Sequence, residues 1–330
     1  MKAFTFVRAR TCGEAAQLLD SKDGAMIHAG GTDLLARLKE RTEAPDTLVS
    51  LCDAQGLEKI VVSEEDGSIW IGARVTLAQL ARWNEIQAFL PTLAHAAGLA
   101  ASPQLRSRAT IGGNLAQHTR CHYYRMESLP CLKRSGTLCP VQEIGGVQDN
   151  AGVFEGSCVC SHPSSLAPVL GTLAAEVHVR DAKGPRMVPF AEFWASPQPG
   201  VGTDTVLKDG EVIEAIRIPP STKKASHGYY EVRHKSAFDW ALVSCAVRYV
   251  EGPDGKITDA SIWYGSIAPT PWRAAKAEAA LIGKRCTDDV AMAAAEAGLT
   301  EAKPVAGAAY KVKLAKVALK RALADARGRS

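Results

Sequence analysis

Residues 28–35 read HAGGTDLL and place two adjacent glycines between a strand-like and a helix-like pattern. The preceding GAMIHA is a short apolar run, and TDLLARLKER has helical periodicity. Glycine permits close backbone approach and a positive φ, and N–H groups at the start of a helix attract anions. Neither G-x-G-x-x-G nor a P-loop lysine is present, so a plain strand-to-helix turn with Thr32 or Asp33 as N-cap is the simpler explanation of this stretch alone.

The elements around this turn predict a small parallel sheet. FTFVRA, GAMIHA and TLVSL read as strands, and TCGEAAQLLDS between the first two has helical periodicity with Thr11 as N-cap. Strands that alternate with helices in this way are typical of a parallel arrangement. From residue 58 the pattern changes to hairpins, which we expect to turn at Asp66-Gly67 and near Lys183-Gly184.

The last part of the chain has a different organisation. YYEVRH, WALVSCAVRYV and ITDASIWYG read as strands and are followed by alanine-rich helical runs. This order predicts a three-stranded antiparallel sheet packed on a helical bundle. We therefore predict an α+β protein with three parts, residues 1–57, residues 58–224 with a cysteine-rich insert at 118–160, and residues 225–330.

A second glycine turn, ATIGGN at residues 109–114, follows Arg106 and Arg108. Two such turns are able to hold the two ends of a dinucleotide's pyrophosphate. Gly-Gly pairs are common, however, so this turn alone also has a plain structural explanation.

Composition excludes several classes of protein. The chain of 330 residues is 46% hydrophobic and 22% charged, which argues against disorder, and its net charge of +4 does not suggest a nucleic-acid partner. No apolar run approaches the roughly 20 residues that span a bilayer, and the N-terminus lacks the pattern of a signal peptide. We expect a reducing compartment, where clustered cysteines are metal ligands or catalytic groups more often than disulfides.

Five of the nine cysteines lie between residues 121 and 160. An iron–sulfur cluster needs four thiolates, which a long loop can supply. Zinc is the alternative, held by four cysteines or by three cysteines and a histidine, since His118, His122 and His162 lie nearby. The usual C-x2–4-C pair is missing, however, and Cys158-x-Cys160 is too tight. Unligated thiols are the third possibility, and the spacing alone does not decide among them.

Several segments together resemble a known family. AGGTDLL, IGARVTLAQL at 71–80, SPQLRSRATIGGNLAQHTR at 102–120 and WYGSIAPTPWRAAKAEAALIG at 263–283 resemble the FAD-binding subunit of the molybdenum hydroxylases, the xanthine dehydrogenase and aldehyde oxidoreductase family. The resemblance covers essentially the whole chain. It implies the FAD-binding fold shared with the vanillyl-alcohol oxidases, in which FAD lies between two α/β subdomains and a separate C-terminal domain follows. The FAD contacts it implies are His28, Ala29, Gly30, Gly31, Thr32, Asp33, Leu34, Ser102, Arg106, Thr110, Gly112, Gly113, Asn114 and Ser165.

The cysteine insert resembles that of one group within the family. The pattern Cys121-x9-Cys131-x7-Cys139-x18-Cys158 is similar to the FAD subunit of bacterial periplasmic aldehyde oxidoreductases, which carries an extra [4Fe–4S] cluster. The resemblance implies these four cysteines as ligands and leaves Cys160 without a role. The insert of 4-hydroxybenzoyl-CoA reductase has different spacings.

Two positions depart from the family pattern. Ser165 stands where relatives have an acid that contacts the flavin's ribityl region. Glu231 stands where relatives have a lysine, and Arg233 and Lys235 lie close by as candidate basic groups. We keep Ser165 as an FAD contact, because its hydroxyl can still donate and accept a hydrogen bond.

The resemblance implies an electron-transfer role with no catalytic residue of its own. A large partner would hold the molybdenum cofactor and a small partner two [2Fe–2S] clusters, in a heterotrimer or a dimer of heterotrimers. Electrons would pass through FAD to an external acceptor. The alternatives are the FAD subunit of a hydroxybenzoyl-CoA reductase-like or N-heterocycle dehydrogenase complex, a stand-alone flavin oxidase of the same fold, and a metal-binding interaction module. The location is cytoplasmic by default, or periplasmic through co-export with a signal-bearing small subunit.

Overall fold

A computed structural model describes residues 1–134, 136, 138–220 and 225–328. The expected boundary at residue 224 lies outside the described residues. Three separate sheets organise the described part of the chain. Their hydrophobic cores are partly shared, since one core combines residues of the five-stranded sheet with Tyr229, Ala246 and Trp263 of the C-terminal sheet. The α+β class predicted from the sequence is confirmed.

The first sheet is parallel, as predicted, with the strand order β1-β3-β2. Thr11 caps the first helix, and its Oγ1 accepts the Glu14 N–H at 3.0 Å. The second helix begins after Asp33, whose side chain makes no capping hydrogen bond. The elements are β1 (Thr5–Arg8), α1 (Cys12–Asp20), β2 (Ala25–His28), α2 (Leu34–Lys39) and β3 (Thr47–Ser50).

The second sheet is antiparallel, with the order β4-β5-β8-β6-β7. Both predicted hairpins are confirmed: β4 pairs with β5 across Asp66-Gly67, and β6 pairs with β7 across Lys183-Gly184. Its strands are β4 (Ile60–Val62), β5 (Ile69–Gly72), β6 (Glu176–Arg180), β7 (Pro185–Pro189) and β8 (Val212–Ile218).

Short helices connect β5 to β6 and carry the second glycine turn. The insert at 118–160 contains one of them, α8, and a single 3-10 turn, Pro140–Gln142, so most of its described backbone is loop. A second 3-10 turn, Phe190–Glu192, follows β7. The helices are α3 (Leu77–Arg82), α4 (Asn84–Phe89), α5 (Pro91–Leu99), α6 (Pro103–Arg106), α7 (Ile111–Leu115), α8 (His122–Arg125) and α9 (Ala167–Thr172).

The C-terminal part has the predicted antiparallel sheet and helices, with one addition. A two-residue strand, β12, joins the edge of the three long strands and gives the order β12-β11-β10-β9. Sequence patterning cannot reveal a strand this short. The elements are β9 (Ser226–Val232), β10 (Val243–Glu251), β11 (Ile257–Gly265), β12 (Trp272–Arg273), α10 (Ala275–Leu281), α11 (Asp288–Gly298), the 3-10 turn Ala306–Ala308 and α12 (Tyr310–Gly328).

The insert packs directly on the C-terminal part. The buried Lys311 Nζ donates to Ala151 O at 2.9 Å in the insert and to Ser161 Oγ at 3.2 Å directly after it. It also donates to Ser266 O at 2.6 Å after β11. Phe154 stacks on Trp272 with ring centroids 3.8 Å apart. The insert is therefore held against the C-terminal part by specific contacts, although it contains little regular structure.

None of the helices in the described residues combines the length and apolar character needed to cross a membrane.

Candidate functional site

The two glycine turns lie against each other. A Cβ on Gly30 would fall 1.9 Å from Arg108 O and 3.3 Å from Ala109 Cα, so only glycine allows this approach. Gly31 has φ +72°, which an L side chain rarely adopts. The sequence separates these turns widely, and the fold brings their backbones into direct contact.

Backbone hydrogen bonds fix the second turn to the segment after β5. Ile111 N–H donates to Val75 O at 2.9 Å, and Gly112 N–H donates to Ala73 O at 3.0 Å. Thr110 is the N-cap of α7, and its Oγ1 accepts the Gly113 N–H at 3.1 Å. The second turn is thereby held by main-chain contacts rather than by mobile side chains.

A cavity of about 640 Å³ opens beside both turns. This volume is in the range of pockets that hold small molecules and cofactors. Residues of both predicted FAD segments line it, namely Ala29, Gly30, Gly31, Thr32, Asp33, Leu34, Thr110, Gly112 and Gly113. The cavity therefore fits a ligand that contacts both turns.

Five of the predicted FAD contacts do not line this cavity: His28, Ser102, Arg106, Asn114 and Ser165. Ser102 caps α6, and Arg106 Nη1 donates to Ala100 O at 3.0 Å and Ala101 O at 2.8 Å. Asn114 Oδ1 accepts the Ser164 hydroxyl at 2.6 Å. Their contact with FAD stays a prediction.

Asp33 is the centre of a buried ion cluster at the cavity wall. Its carboxylate lies 2.6 Å from Arg125 Nη2, 2.9 Å from Arg120 Nη1 and 3.1 Å from Arg37 Nε. Burial raises the pKa of Asp33, but the three positive charges outweigh it and hold the pKa below its ordinary value. Arg120 and Arg125 flank Cys121, so this carboxylate joins the glycine turns to the cysteine insert.

The same cluster reaches the C-terminal part and a buried histidine. Arg120 lies over the Trp240 ring, 4.5 Å from its centroid. His118 hydrogen-bonds to the Tyr124 hydroxyl, and burial holds the pKa of His118 well below its ordinary value. The lowered pKa favours the neutral form of His118, whose Nε2 lies 3.3 Å from Arg37 Nη1 of the ion cluster.

The two positions that depart from the family pattern are joined through Tyr229. The Tyr229 hydroxyl donates to Glu231 Oε2 at 2.8 Å and also hydrogen-bonds to Ser165. Arg233 Nε lies 3.2 Å from Glu231 Oε1. Burial raises the pKa of Glu231, against the opposing effects of Tyr229 and Arg233. The basic group nearest this carboxyl is thus Arg233, and its contact with flavin stays a prediction.

The five insert cysteines converge on one small buried pocket of about 10 Å³. All are free thiols, and they are Cys121, Cys131, Cys139, Cys158 and Cys160. The side-chain hydrogen bond to Cys158 lowers the pKa of both Cys139 and Cys160, and the same bonds raise the pKa of Cys158. The structure thus brings together the four predicted ligands and adds Cys160 as a fifth member.

The thiols of this pocket are the right ligands for an iron–sulfur cluster, but the volume of the pocket is too small for one. Four thiolates are the ligands such a cluster needs. About 10 Å³ is at the limit for one water molecule, and no group of three or more His, Cys, Asp or Glu among the described residues is placed to hold a metal ion. His118, His122 and His162 do not line the pocket, so no histidine supports the zinc alternative there.

Sequence reasoning missed a buried ion pair at this pocket. Lys133 Nζ lies 2.5 Å from Asp204 Oδ2, and both side chains are almost fully buried. The position of Lys133, two residues after Cys131, could have indicated a charged residue beside the cysteines. Asp204 lies in the segment between β7 and β8, and nothing in the sequence connects it with the insert.

Comparisons with known proteins agree with this architecture. Residues 2–221 match the model of the FAD binding domain in molybdopterin dehydrogenase, and residues 228–326 match that of the CO dehydrogenase flavoprotein C-terminal domain. The aldehyde oxidoreductase FAD-binding subunit of Escherichia coli K12 is 36% identical over 100% of both chains. The carbon monoxide dehydrogenase medium chain of Hydrogenophaga pseudoflava is 29% identical over 97% of this chain and 96% of that one.

Solved structures show the same fold. Carbon monoxide dehydrogenase from Hydrogenophaga pseudoflava matches with a TM-score of 0.76 at 29% identity, covering 99% of this chain and 98% of that one. A Cu,Mo-CO dehydrogenase matches with a TM-score of 0.78 at 24% identity over 100% of both chains. The fold and the family match define an FAD-binding oxidoreductase subunit. The chain belongs to the molybdopterin dehydrogenase FAD-binding family.

Proposed function

We propose that this chain is the electron-transfer flavin subunit of an aldehyde oxidoreductase-like molybdenum hydroxylase. The full-length identity of 36% to an aldehyde oxidoreductase FAD-binding subunit carries this proposal. The partners are a large molybdenum-cofactor subunit and a small [2Fe–2S] subunit, in a heterotrimer or a dimer of heterotrimers. An aldehyde is the substrate of the complex, and its oxidation takes place on the large partner.

FAD would lie in the 640 Å³ cavity against both glycine turns. FAD bound there would supply electron transfer between the partner's clusters and an external acceptor. Gly30 and Gly31 allow the close approach, and the N-terminal turn of α2 and α7 would face the pyrophosphate. Asp33 forms ion pairs with three arginines. Its role toward FAD would therefore be to stabilise the wall of the cavity.

A [4Fe–4S] cluster would be held by Cys121, Cys131, Cys139 and Cys158. The supporting observation is that all four line one pocket. Because that pocket has only about 10 Å³, cluster binding requires the thiols to separate. The loop character of the insert makes such movement inexpensive compared with movement of a sheet.

The first experiment is an absorption spectrum of the purified chain, with iron, zinc and acid-labile sulfide assays. Flavin with about four irons and four sulfides per chain is the expected result. Flavin with zinc or without metal would retain the flavin role and reject the cluster. A chain without flavin would reject the whole proposal.

A second experiment tests the partners. Purification of this chain from its native cells through an affinity tag should retain two further chains and molybdenum. Turnover of an aldehyde by the isolated chain would instead favour a stand-alone flavin enzyme. Fractionation of the same cells tests whether the complex is exported by a signal on the small partner.

A further inference from the structure

The cysteine pocket has a single buried charge among the described residues that line it. That charge is Lys133, whose side chain is 0% exposed. Its counter-ion Asp204 does not line the pocket. The Lys133 ammonium interacts electrostatically with Cys160 and Cys158, and it contacts Asp204 at 2.5 Å.

Attachment of the insert does not explain this ion pair. The segment before β8 is already joined to the insert by Gly200 N–H, which donates to Leu132 O at 2.9 Å, and by Ser157 Oγ, which donates to Pro197 O at 3.2 Å. Removing two charges from water costs several kcal/mol for each ion, and apolar residues of similar volume are often as stable. The position of the charge calls for another explanation.

A fixed positive charge is suited to an anionic occupant. Four thiolates carry more negative charge than the iron–sulfide core compensates, and each one-electron reduction adds another negative charge. In a buried site this charge interacts strongly with a neighbouring ammonium. The reduced form gains more from Lys133 than the oxidised form does.

We propose that Lys133 sets the reduction potential of the [4Fe–4S] cluster, with Asp204 limiting its effect. This inference rests on the proposed cluster. It makes Lys133 an electrostatic determinant of electron transfer, and it gives Asp204 an opposite influence on the same property.

The test is a redox titration of the full chain, followed by electron paramagnetic resonance, for Lys133→Met and Asp204→Asn. Lys133→Met should change the ratio of oxidised to reduced cluster about tenfold toward the oxidised form at a fixed potential, a shift of about 59 mV for a one-electron couple. Asp204→Asn should shift the potential in the opposite direction. Lys183→Met, at an exposed hairpin turn, should leave it unchanged.

Opposite shifts separate this proposal from a structural role, which would weaken cluster retention in both variants without opposite potentials. If one variant loses its iron, the sign of the potential shift in the other variant decides whether the proposal holds. No shift or a shift of the wrong sign in a variant that keeps its iron overturns the proposal, and so does loss of iron from both. Wild-type protein without iron or sulfide would instead reject the cluster itself.

Discussion

The cavity beside the glycine turns and the cysteine pocket are built in different ways. Main-chain contacts at Gly30, Ile111 and Gly112 shape the cavity of about 640 Å³. Side chains on loops shape the pocket of about 10 Å³, and its thiols contact one another. A cavity made by backbone is formed before its ligand arrives, whereas a pocket made by loop side chains adapts to its ligand.

The largest effect on FAD binding should come from breaking the backbone contact between the two glycine turns. Gly30→Ala places a Cβ 1.9 Å from Arg108 O, so the two turns must separate. We expect FAD affinity to fall roughly a hundredfold or more, which corresponds to about 2.8 kcal/mol. Flavin absorbance after gel filtration measures this. Gly98→Ala in α5, where the nearest side-chain atom is 3.8 Å from the new Cβ, is the control and should retain flavin. A Gly30→Ala protein with full flavin would show that the cavity is not backbone-limited.

The cysteine pocket should respond independently of the cavity. Cys158→Ser removes the thiol that contacts both Cys139 and Cys160, so most bound iron and sulfide should be lost while flavin stays. Cys245→Ser, at a buried cysteine of β10 that does not line the pocket, should retain both. Iron analysis and flavin absorbance decide the matter, and unchanged iron in Cys158→Ser would remove it from the ligand set.

Asp33 lies between the two regions and should affect both. Asp33→Asn leaves three arginines, two of them buried, without their shared carboxylate, which should cost about 3 kcal/mol of unfolding free energy. Urea unfolding measures this loss. Glu301→Gln, in the exposed pair with Lys276, should cost less than about 1 kcal/mol. Equal losses in the two variants would contradict a special role for Asp33.

The pH dependence of the stability of wild type and Asp33→Asn tests the role of Asp33 further. The folded-state pKa of Asp33 lies below its unfolded value, so its stabilisation is present above the unfolded value. It is lost as pH falls through the folded-state pKa. The stability difference between wild type and Asp33→Asn should therefore shrink below about pH 4. A difference that does not change with acidification would show that the carboxylate's charge is not responsible.

The smallest effect on stability concerns Lys311, which holds the insert against the C-terminal part. Burial lowers the pKa of Lys311 to about 7, below its value in the unfolded chain. Between these values only the unfolded state binds the proton, so rising pH favours folding. The stability of wild type relative to Lys311→Met should increase from about pH 7 to about pH 10 in melting experiments. A relative stability that falls over this range would contradict the lowered pKa.

Local patterns predicted the elements well, because hairpin turns and caps depend on neighbouring residues. Thr11 caps α1, and Asp66-Gly67 turns the first hairpin, as the sequence indicates. The strand Trp272–Arg273 was missed because two residues carry no period.

The candidate site was predictable only in part. Each glycine turn was visible, but their contact depends on how the second sheet places residues 108 and 109 beside residue 30. Asp33 was expected at an anion site, whereas three arginines from 37, 120 and 125 surround it. The pairing of Lys133 with Asp204 joins distant segments, and no local pattern encodes such a contact.

The contacts between the insert and the C-terminal part determine when, during synthesis of the chain, the insert can become fully packed. The cysteines leave the ribosome in the first half of the chain, but Lys311, Tyr310 and Ala308, which contact or pack against the insert segment, are made near its end. Domains generally begin to fold while the chain is still growing. The glycine turns can therefore meet early, whereas the cysteine pocket gains its full support only after Lys311 has been made, 160 residues beyond Ala151. Any metal held by the insert would then be secured late in synthesis rather than when the cysteines emerge.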